Sequence, residues 1–308
     1  MLRVRFLGTG AAFPTQERNT SSIYVNHDGR ELLLDCGEGT QRQMRRFGTG
    51  FDIDEIILTH ADADHSLGLS GLVHTLDFMS RDKPLTIHVP QSGRQKVEQI
   101  LGASVQNPSF PLRINSVKPS NTILSTDDVT VDTYETSHRG ASMGIIINES
   151  TRKGRFDEDA ALEKGVPRGP LFGKLHDGES VELEDGSVVH PEEVVGPPRP
   201  SRKVVYTGDT RPTKDTVDAA ENASLLIHEA TFSNELTDRA EEAAHSTAEQ
   251  AGSIASQADA EELVLTHISP RYQMDTDTLA IEASEEFSGE VSVASDGFTT
   301  EIPLPSEE

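Results

Sequence analysis

The chain has 308 residues, 34% of them hydrophobic, and a mean hydropathy of −0.45: enough for a substantial core in one large domain or two smaller ones. No apolar stretch approaches the roughly 20 residues of a membrane span, and the N-terminus lacks a secretory pattern. The net charge of −25 does not mean disorder, because apolar runs with strand character recur throughout.

In chain order, an apolar run repeatedly stops at an acid or a histidine. "ELLLD" ends at Asp35 and "EIILTH" at His60. "VDTYETSH" ends at His138, "KVVYTGD" at Asp209, "LLIHE" at Glu229 and "LVLTH" at His267. Short runs rich in Val, Ile and Leu read as strands buried on both faces. Helical patterns fall between them. "LGLSGLVHTLDFM" predicts a helix over 65–79, "SGRQKVEQIL" a second, and "TAEQAGSIASQA" a third whose start Ser246-Thr247 can cap. Alternating strands and helices predict an α/β fold with sheets covered by helices, and such sheets carry functional side chains where strands end and loops begin.

Residues 149 to about 202 differ. They lack sustained periodicity and are punctuated by Gly and Pro, which reads as an inserted, extended arm. "SVELEDGSVVH" predicts a short hairpin, because Asp185-Gly186 suits a tight turn. Leu171, Phe172 and Leu175 are apolar residues that a purely solvated loop would not need. The acidic run Asp157-Glu158-Asp159 reads as solvated surface.

The densest chemistry is "THADADH" at 59–65. His60, Asp62, Asp64 and His65 in one strand-to-helix turn can aim alternate side chains at two ions. Imidazole and carboxylate donors without a thiolate cluster suit zinc or manganese. Two such ions about 3.5–4 Å apart stabilise the attacking and leaving oxygens of a phosphoryl displacement. Four other side chains read as ordinary: His74, His190 and His228 as packed or surface histidines, and Cys36 as a small buried hydrophobe. A single cysteine leaves no intramolecular disulfide and fits a reducing cytoplasm.

The sequence resembles the tRNase Z family, which matures tRNA 3′ ends. "THADADH" is similar to the T-H-x-H-x-D-H signature of the metallo-β-lactamase fold. "FLGTGAAFPTQERNTSS" and "LLLDCGEGTQRQM" before it, and "GVPRGPLFGKL", "VVYTGDTRP", "HEATF", "HSTAEQA" and "LTHISPRY" after it, occur in family order, so the resemblance runs from residue 1 to about 295. The resemblance implies one αββα metallo-β-lactamase sandwich over 1–308, with 149–202 as its inserted tRNA-binding arm. It implies two zinc ions: one held by His60, the residue at 62, His138 and Asp209, the other by Asp64, His65, Asp209 and His267. Asp64 would also position the attacking hydroxide. Glu229 and His245 would supply a proton to the leaving ribose oxygen, and Asp35 would orient a ligand histidine. Arg168, Gly169, Pro170, Leu171 and Lys174 would grip precursor tRNA through the arm, and Arg18 and Asn19 would lie near its 3′ end. A cytoplasmic homodimer is implied, one subunit clamping the tRNA that the other cuts.

Two residues depart from that pattern. Asp62 stands where the family has a histidine, followed by Ala63 where relatives often have glycine. The shorter carboxylate there either shifts the turn inward, weakens the first site or favours a harder ion such as manganese, which leaves three outcomes open: an intact two-ion site, one good ion, or a catalytically poor relative. Gln16 stands where many relatives carry a lysine. The rival readings are a small-molecule phosphodiesterase or arylsulfatase-like hydrolase of the same fold, and a tRNA-binding paralogue whose first metal site has decayed at Asp62. The acidic surface, with arginine preferred to lysine and no tryptophan, fits a chain kept soluble in concentrated salt. There a Debye length of about 3 Å screens repulsion from RNA.

Overall fold

The computed structural model describes residues 1–103 and 107–305. The chain divides into two compact units: Met1–Asn148 with Lys203–Pro303, and a smaller one built on Glu149–Arg202.

The larger unit is two seven-stranded sheets with helices outside them. The chain lays down β1 (Leu2–Gly8), β2 (Ser22–His27), β3 (Arg30–Leu34), β4 (Glu55–Ile57), β5 (Leu85–Pro90) and β6 (Leu112–Val117) in one sheet. It crosses into the other with β7 (Thr122–Ser125), β8 (Val129–Glu135) and β9 (Met143–Glu149). After an excursion containing the hairpin β10 (Val181–Glu182) and β11 (Val188–Val189), it returns with β12 (Lys203–Tyr206), β13 (Leu225–Glu229), β14 (Glu262–Thr266) and β15 (Glu290–Val293). Finally β16 (Thr299–Ile302) rejoins the first sheet beside β1. The orders are β16-β1-β2-β3-β4-β5-β6 and β15-β14-β13-β12-β9-β8-β7.

The strand period explains the layering. In β3, Leu32 and Leu34 enter the core between the sheets, while Leu33 enters the core under the helices. Ile57 and Ile56 divide the same way in β4. In the second sheet, Val204 and Tyr206 face inward and Val205 outward; Leu225 and Ile227 face inward and Leu226 outward. Successive side chains point to opposite faces, so an unbroken apolar run is what a sandwiched strand needs. The buried faces are therefore one sheet and one helical layer, not helices on both sides. On the first sheet that layer is α1 (Thr40–Phe47), α3 (Gly68–Phe78) and α4 (Arg94–Gly102), with the short α2 (Ala63–Ser66) just before α3. The helix expected over 65–79 is thus α2 and α3, parted at Leu67.

The smaller unit carries α5 (Glu158–Glu163) and α6 (Pro170–His176). Val181 pairs with Val189 around the Asp185-Gly186 turn, where Gly186 has a φ of 86°. Leu175, Val181, Val189, Val166, Ala161 and Val194 form a core of their own, with Leu171 and Phe172 packed on it. The segment is a folded unit with two helices, more than the extended arm its punctuation suggested. Its acidic run is exposed, and Asp157 caps α5 by accepting from the Ala160 amide at 2.9 Å.

On the second sheet's outer face α7 (Lys214–Ala220), α9 (Ala248–Gln257) and α10 (Asp277–Glu286) supply the helical core, and α8 (Thr237–Ala243) precedes α9 in the chain. Thr247 caps α9 in a reciprocal box with Gln250. Among the described residues no helix is long and apolar enough to cross a membrane.

Candidate metal centre

The six acid-or-histidine strand ends lie at the C-terminal edges of β3, β4, β8, β12, β13 and β14. They line or underlie a cleft of about 760 Å³ bordered by Asp62, Asp64, His138, Asp209, His245 and His267. Two of these ends hold unusual backbone: Asp35 has a φ of 56° and His267 of 57°. Left-handed backbone at a non-glycine residue costs of order 1–3 kcal/mol and collects at functional sites. Beside Asp209, Gly208 has a φ of 58°, and a Cβ there would stand 2.6 Å from that of Thr59. Only glycine lets β12 deliver Asp209 against the β4 turn.

Four histidines are each tethered at Nδ1, which turns Nε2 toward the cleft. His65 Nδ1 lies 2.8 Å from Asp35 Oδ2, His138 Nδ1 donates to the Ala244 carbonyl at 2.9 Å, and His60 Nδ1 is 3.0 Å from Thr59 Oγ1. His267 Nδ1 is 2.8 Å from Thr231 Oγ1. Thr59 in turn donates to Asp35 at 2.9 Å and Thr231 to Glu229 at 2.6 Å. Asp35 also accepts from Tyr206 Oη at 2.8 Å and from the Thr59 amide at 2.8 Å. A carboxylate, hydroxyl or backbone carbonyl behind each imidazole fixes the tautomer that leaves Nε2 free to ligate.

The free atoms converge. The ligand atoms of His60, His138 and Asp209 lie within 4.8 Å of one another, and so do those of Asp64, His65 and His267. Asp209 joins the two groups: Oδ2 is 3.6 Å from His60 Nε2, and Oδ1 is 3.4 Å from His65 Nε2 and 3.3 Å from His267 Nε2. His60 Nε2, His65 Nε2 and Asp209 Oδ1 are buried without a hydrogen-bond partner. Buried orphan donors and acceptors are costly. Three of them facing one space, all borderline-to-hard ligand atoms, fit a divalent-metal site.

The electrostatics agree. Burial and the neighbouring His65 charge hold the His60 imidazole down at about 4, neutral and ready to ligate. His65 is itself buried, yet Asp209, Asp35 and Asp64 raise it well above the usual imidazole range. Burial opposes ionisation of Asp209, but His267 and His65 hold its carboxyl well below the usual range. Without a cation, the carboxylates keep a proton on His65 as counter-charge.

Beside this centre, His245 Nδ1 lies 2.8 Å from Glu229 Oε1. Burial pulls His245 down, but the Glu229 charge and hydrogen bond push it up to about 9. Glu229 is fully buried and also accepts from the Thr210 amide at 2.9 Å.

The expected residues divide. His60, Asp64, His65, His138, Asp209 and His267 come together, with Asp35 behind His65 and the Glu229–His245 pair alongside. Asp62 stays at the rim. Its side chain is 57% exposed, with Oδ2 3.8 Å from His60 Nε2 and 3.7 Å from His138 Nε2, while Oδ1 faces Lys96 Nζ at 3.7 Å. Arg18, expected near the RNA 3′ end, is not presented to the surface. Its side chain is buried, and its guanidinium donates to Thr9 Oγ1 at 2.7 Å and to the Ala294 carbonyl, beneath the loop it belongs to. Asn19 Nδ2 donates to the Glu38 carbonyl at 2.8 Å. In the smaller unit Arg168, Gly169, Pro170 and Lys174 are exposed and Leu171 half-buried; Arg168 pairs with Glu158 at 2.9 Å. Cys36 is buried, and burial pushes its thiol up to about 12. His228 is buried with Nδ1 on the Glu229 carbonyl, and His74 and His190 are exposed.

Sequence reasoning missed Thr231, Tyr206 and Lys96. Thr231 lies inside "HEATF", so the motif carried it; nothing local marks Tyr206 or Lys96.

A family model described as "Anti-Pycsar protein Apyc1" matches residues 2–162, and one described as "Beta-lactamase superfamily domain" matches 193–268. A protein of Natronomonas pharaonis named Ribonuclease Z is 51% identical over 99% of both chains. One of Halorubrum lacusprofundi with the same name is 52% identical over 99% of this chain and 98% of that one. The crystal structure of the short form of human tRNase Z matches with a TM-score of 0.70 at 26% identity, covering 98% of this chain and 100% of that one.

Proposed function

The chain belongs to the ribonuclease Z family, and from that premise we propose how its residues act. It is a metal-dependent endoribonuclease of tRNA 3′-end processing. The bond we assign is the phosphodiester 3′ of the discriminator nucleotide, leaving a 3′-hydroxyl on the tRNA and a 5′-phosphate on the trailer. The observation that carries the reading is the convergence of four tethered histidines and Asp209 on one cleft beside a charged His245–Glu229 pair.

His60, His138 and Asp209 would hold one ion, with Asp62 available from the rim. Asp64, His65 and His267 would hold the other, shared with Asp209. The donor set suits zinc and admits manganese. When bound, the ions supply Lewis-acid polarisation of the scissile phosphate and neutralise charge developing on it. Asp64 accepts from the Ala12 amide at 2.7 Å, and its carboxyl is held well below the usual range by His65 and His267 against the opposing effect of burial. It therefore remains an acceptor that would position the attacking hydroxide. His245, protonated because of Glu229, delivers its proton to the leaving ribose O3′. Thr231 ties His267 to the same Glu229, so ligand and acid share one anchor.

The separately cored unit of 149–202 supports a macromolecular substrate, with Arg168, Gly169, Pro170, Leu171 and Lys174 as its tRNA contacts. Its resemblance to the family's arm also supports a cytoplasmic homodimer in which one subunit holds the tRNA that the other cuts.

The test is incubation with a 3′-extended tRNA and zinc or manganese in concentrated salt. A trailer with a 5′-phosphate is expected, and no cleavage over that range of conditions would end the proposal. Deleting 155–185 should abolish tRNA cleavage while sparing bis-nitrophenyl phosphate. If tRNA cleavage survives the deletion, the arm has no role in holding substrate.

A further inference from the structure

Arg42, Arg45 and Arg46 are exposed on α1. The spacing i, i+3, i+4 puts all three on one helical face, with Cβ atoms about 5–6 Å apart. With Gln41, Phe51 and Thr75 they line a depression of about 450 Å³. Arg46 stands over the Phe47 ring at 5.1 Å.

This grouping is unusual for the molecule. The chain carries 52 acids against 27 basic residues, and many of its exposed cations have a carboxylate beside them. Lys83 has Asp52, Lys153 has Asp177, Lys164 has Glu193 and Lys214 has Asp218. Among the described residues no carboxylate forms an ion pair with Arg42, Arg45 or Arg46. Like charges at this spacing cost an isolated helix a few tenths of a kcal/mol per pair. The helix C-terminus offsets that for Arg45 and Arg46 in the last turn, but not for Arg42 near the start. Local helix stability does not account for the cluster.

Its position gives it a use. Helix α1 begins five residues after Asp35, which anchors His65 at the metal centre. Its first turn abuts the loop of Asn19: a Cβ on Gly39 would stand 3.0 Å from Asn19 Oδ1. Arg45 is five residues into the helix from Thr40, roughly 7–8 Å along the axis. The three guanidinium groups therefore lie within about two helical turns of the Asn19 loop, where a polyanion lying along α1 would meet them. Planar forks with several donors match phosphate oxygens better than carboxylate-studded protein surface does.

We infer that Arg42, Arg45 and Arg46 form a second RNA-backbone contact, outside the cleavage cleft, that holds the precursor through its phosphates. This rests on the nuclease reading above. It needs no base recognition, and it acts at short range, as concentrated salt demands.

The test is the triple variant Arg42→Gln, Arg45→Gln, Arg46→Gln, which keeps good helix formers throughout. Binding of a 3′-extended tRNA to the metal-loaded protein is followed by fluorescence anisotropy across a KCl series. Each lost phosphate contact removes about 0.7–0.9 from the slope of log affinity against log salt. The variant should lose about 2 in slope and bind on the order of ten-fold more weakly at the lowest salt. KM for precursor should rise with kcat unchanged, and hydrolysis of bis-nitrophenyl phosphate should not change. An unaltered slope in a protein that still cleaves precursor overturns the inference alone. An unaltered slope together with a changed oligomeric state in sedimentation also overturns it, making the patch a contact between copies. Wild-type protein that neither binds nor cuts precursor removes the nuclease reading, and this inference with it.

Discussion

Replacing Glu229 with glutamine isolates the proton-donating step. The substitution keeps the shape of a fully buried side chain and removes its charge. Glu229 is what lifts His245 to about 9 against burial. Without it the imidazole returns toward its ordinary 6.5, a loss of about 2.5 units, or roughly 3 kcal/mol between protonation states. At pH 8 the protonated fraction would fall from about 0.9 to about 0.03, so a step needing that proton slows roughly 30-fold. The direct assay is an NMR titration of labelled histidine in metal-free protein, with wild type titrating near 9 and E229Q near 6.5. In loaded enzyme, the cations shift both variants the same way, so the alkaline limb of kcat should move down while the difference between them persists. The sign for stability follows. A raised histidine contributes stability that is fully present below 6.5 and lost as pH climbs through about 9. An E229Q midpoint within about half a unit of wild type would refute the coupling on which the acid role depends.

Asp35→Asn should weaken metal binding by about 10–100-fold, because it leaves Tyr206, Thr59 and His65 competing for a neutral amide; competition with a chromogenic chelator reads this. Asp62→His should bind metal at least as tightly as wild type, with two ions per subunit by elemental analysis, since Asp62 now divides itself between the site and Lys96. Fewer than one ion per wild-type subunit would contradict a two-ion centre. Zinc binding at neutral pH should release protons, because His65 holds one against three carboxylates. Calorimetry in buffers of different ionisation enthalpy measures that release, and buffer-independent heats would count against it.

Chain order alone supplied the strands and the chemistry at their ends. Unbroken apolar runs such as Leu32–Leu34 and Leu225–Ile227 suit a strand covered on both faces. A ligand-type residue after each run has few uses but a shared site. Sequence spacing also set off 149–202, because punctuation by Gly and Pro is local. What sequence could not decide is which neighbour each side chain finds. Asp35 meets Tyr206 across 171 positions, and His138 meets Ala244 across 106. Those partners fix the tautomers, leave three ligand atoms buried and unpaired, and hold Asp62 out at the rim beside Lys96. Arg18 makes the same point. It sits in a motif that marks a substrate loop, yet long-range packing against Ala294 buries it. A motif names the available donors, whereas their direction comes from contacts between segments far apart in the chain, and only folding creates those.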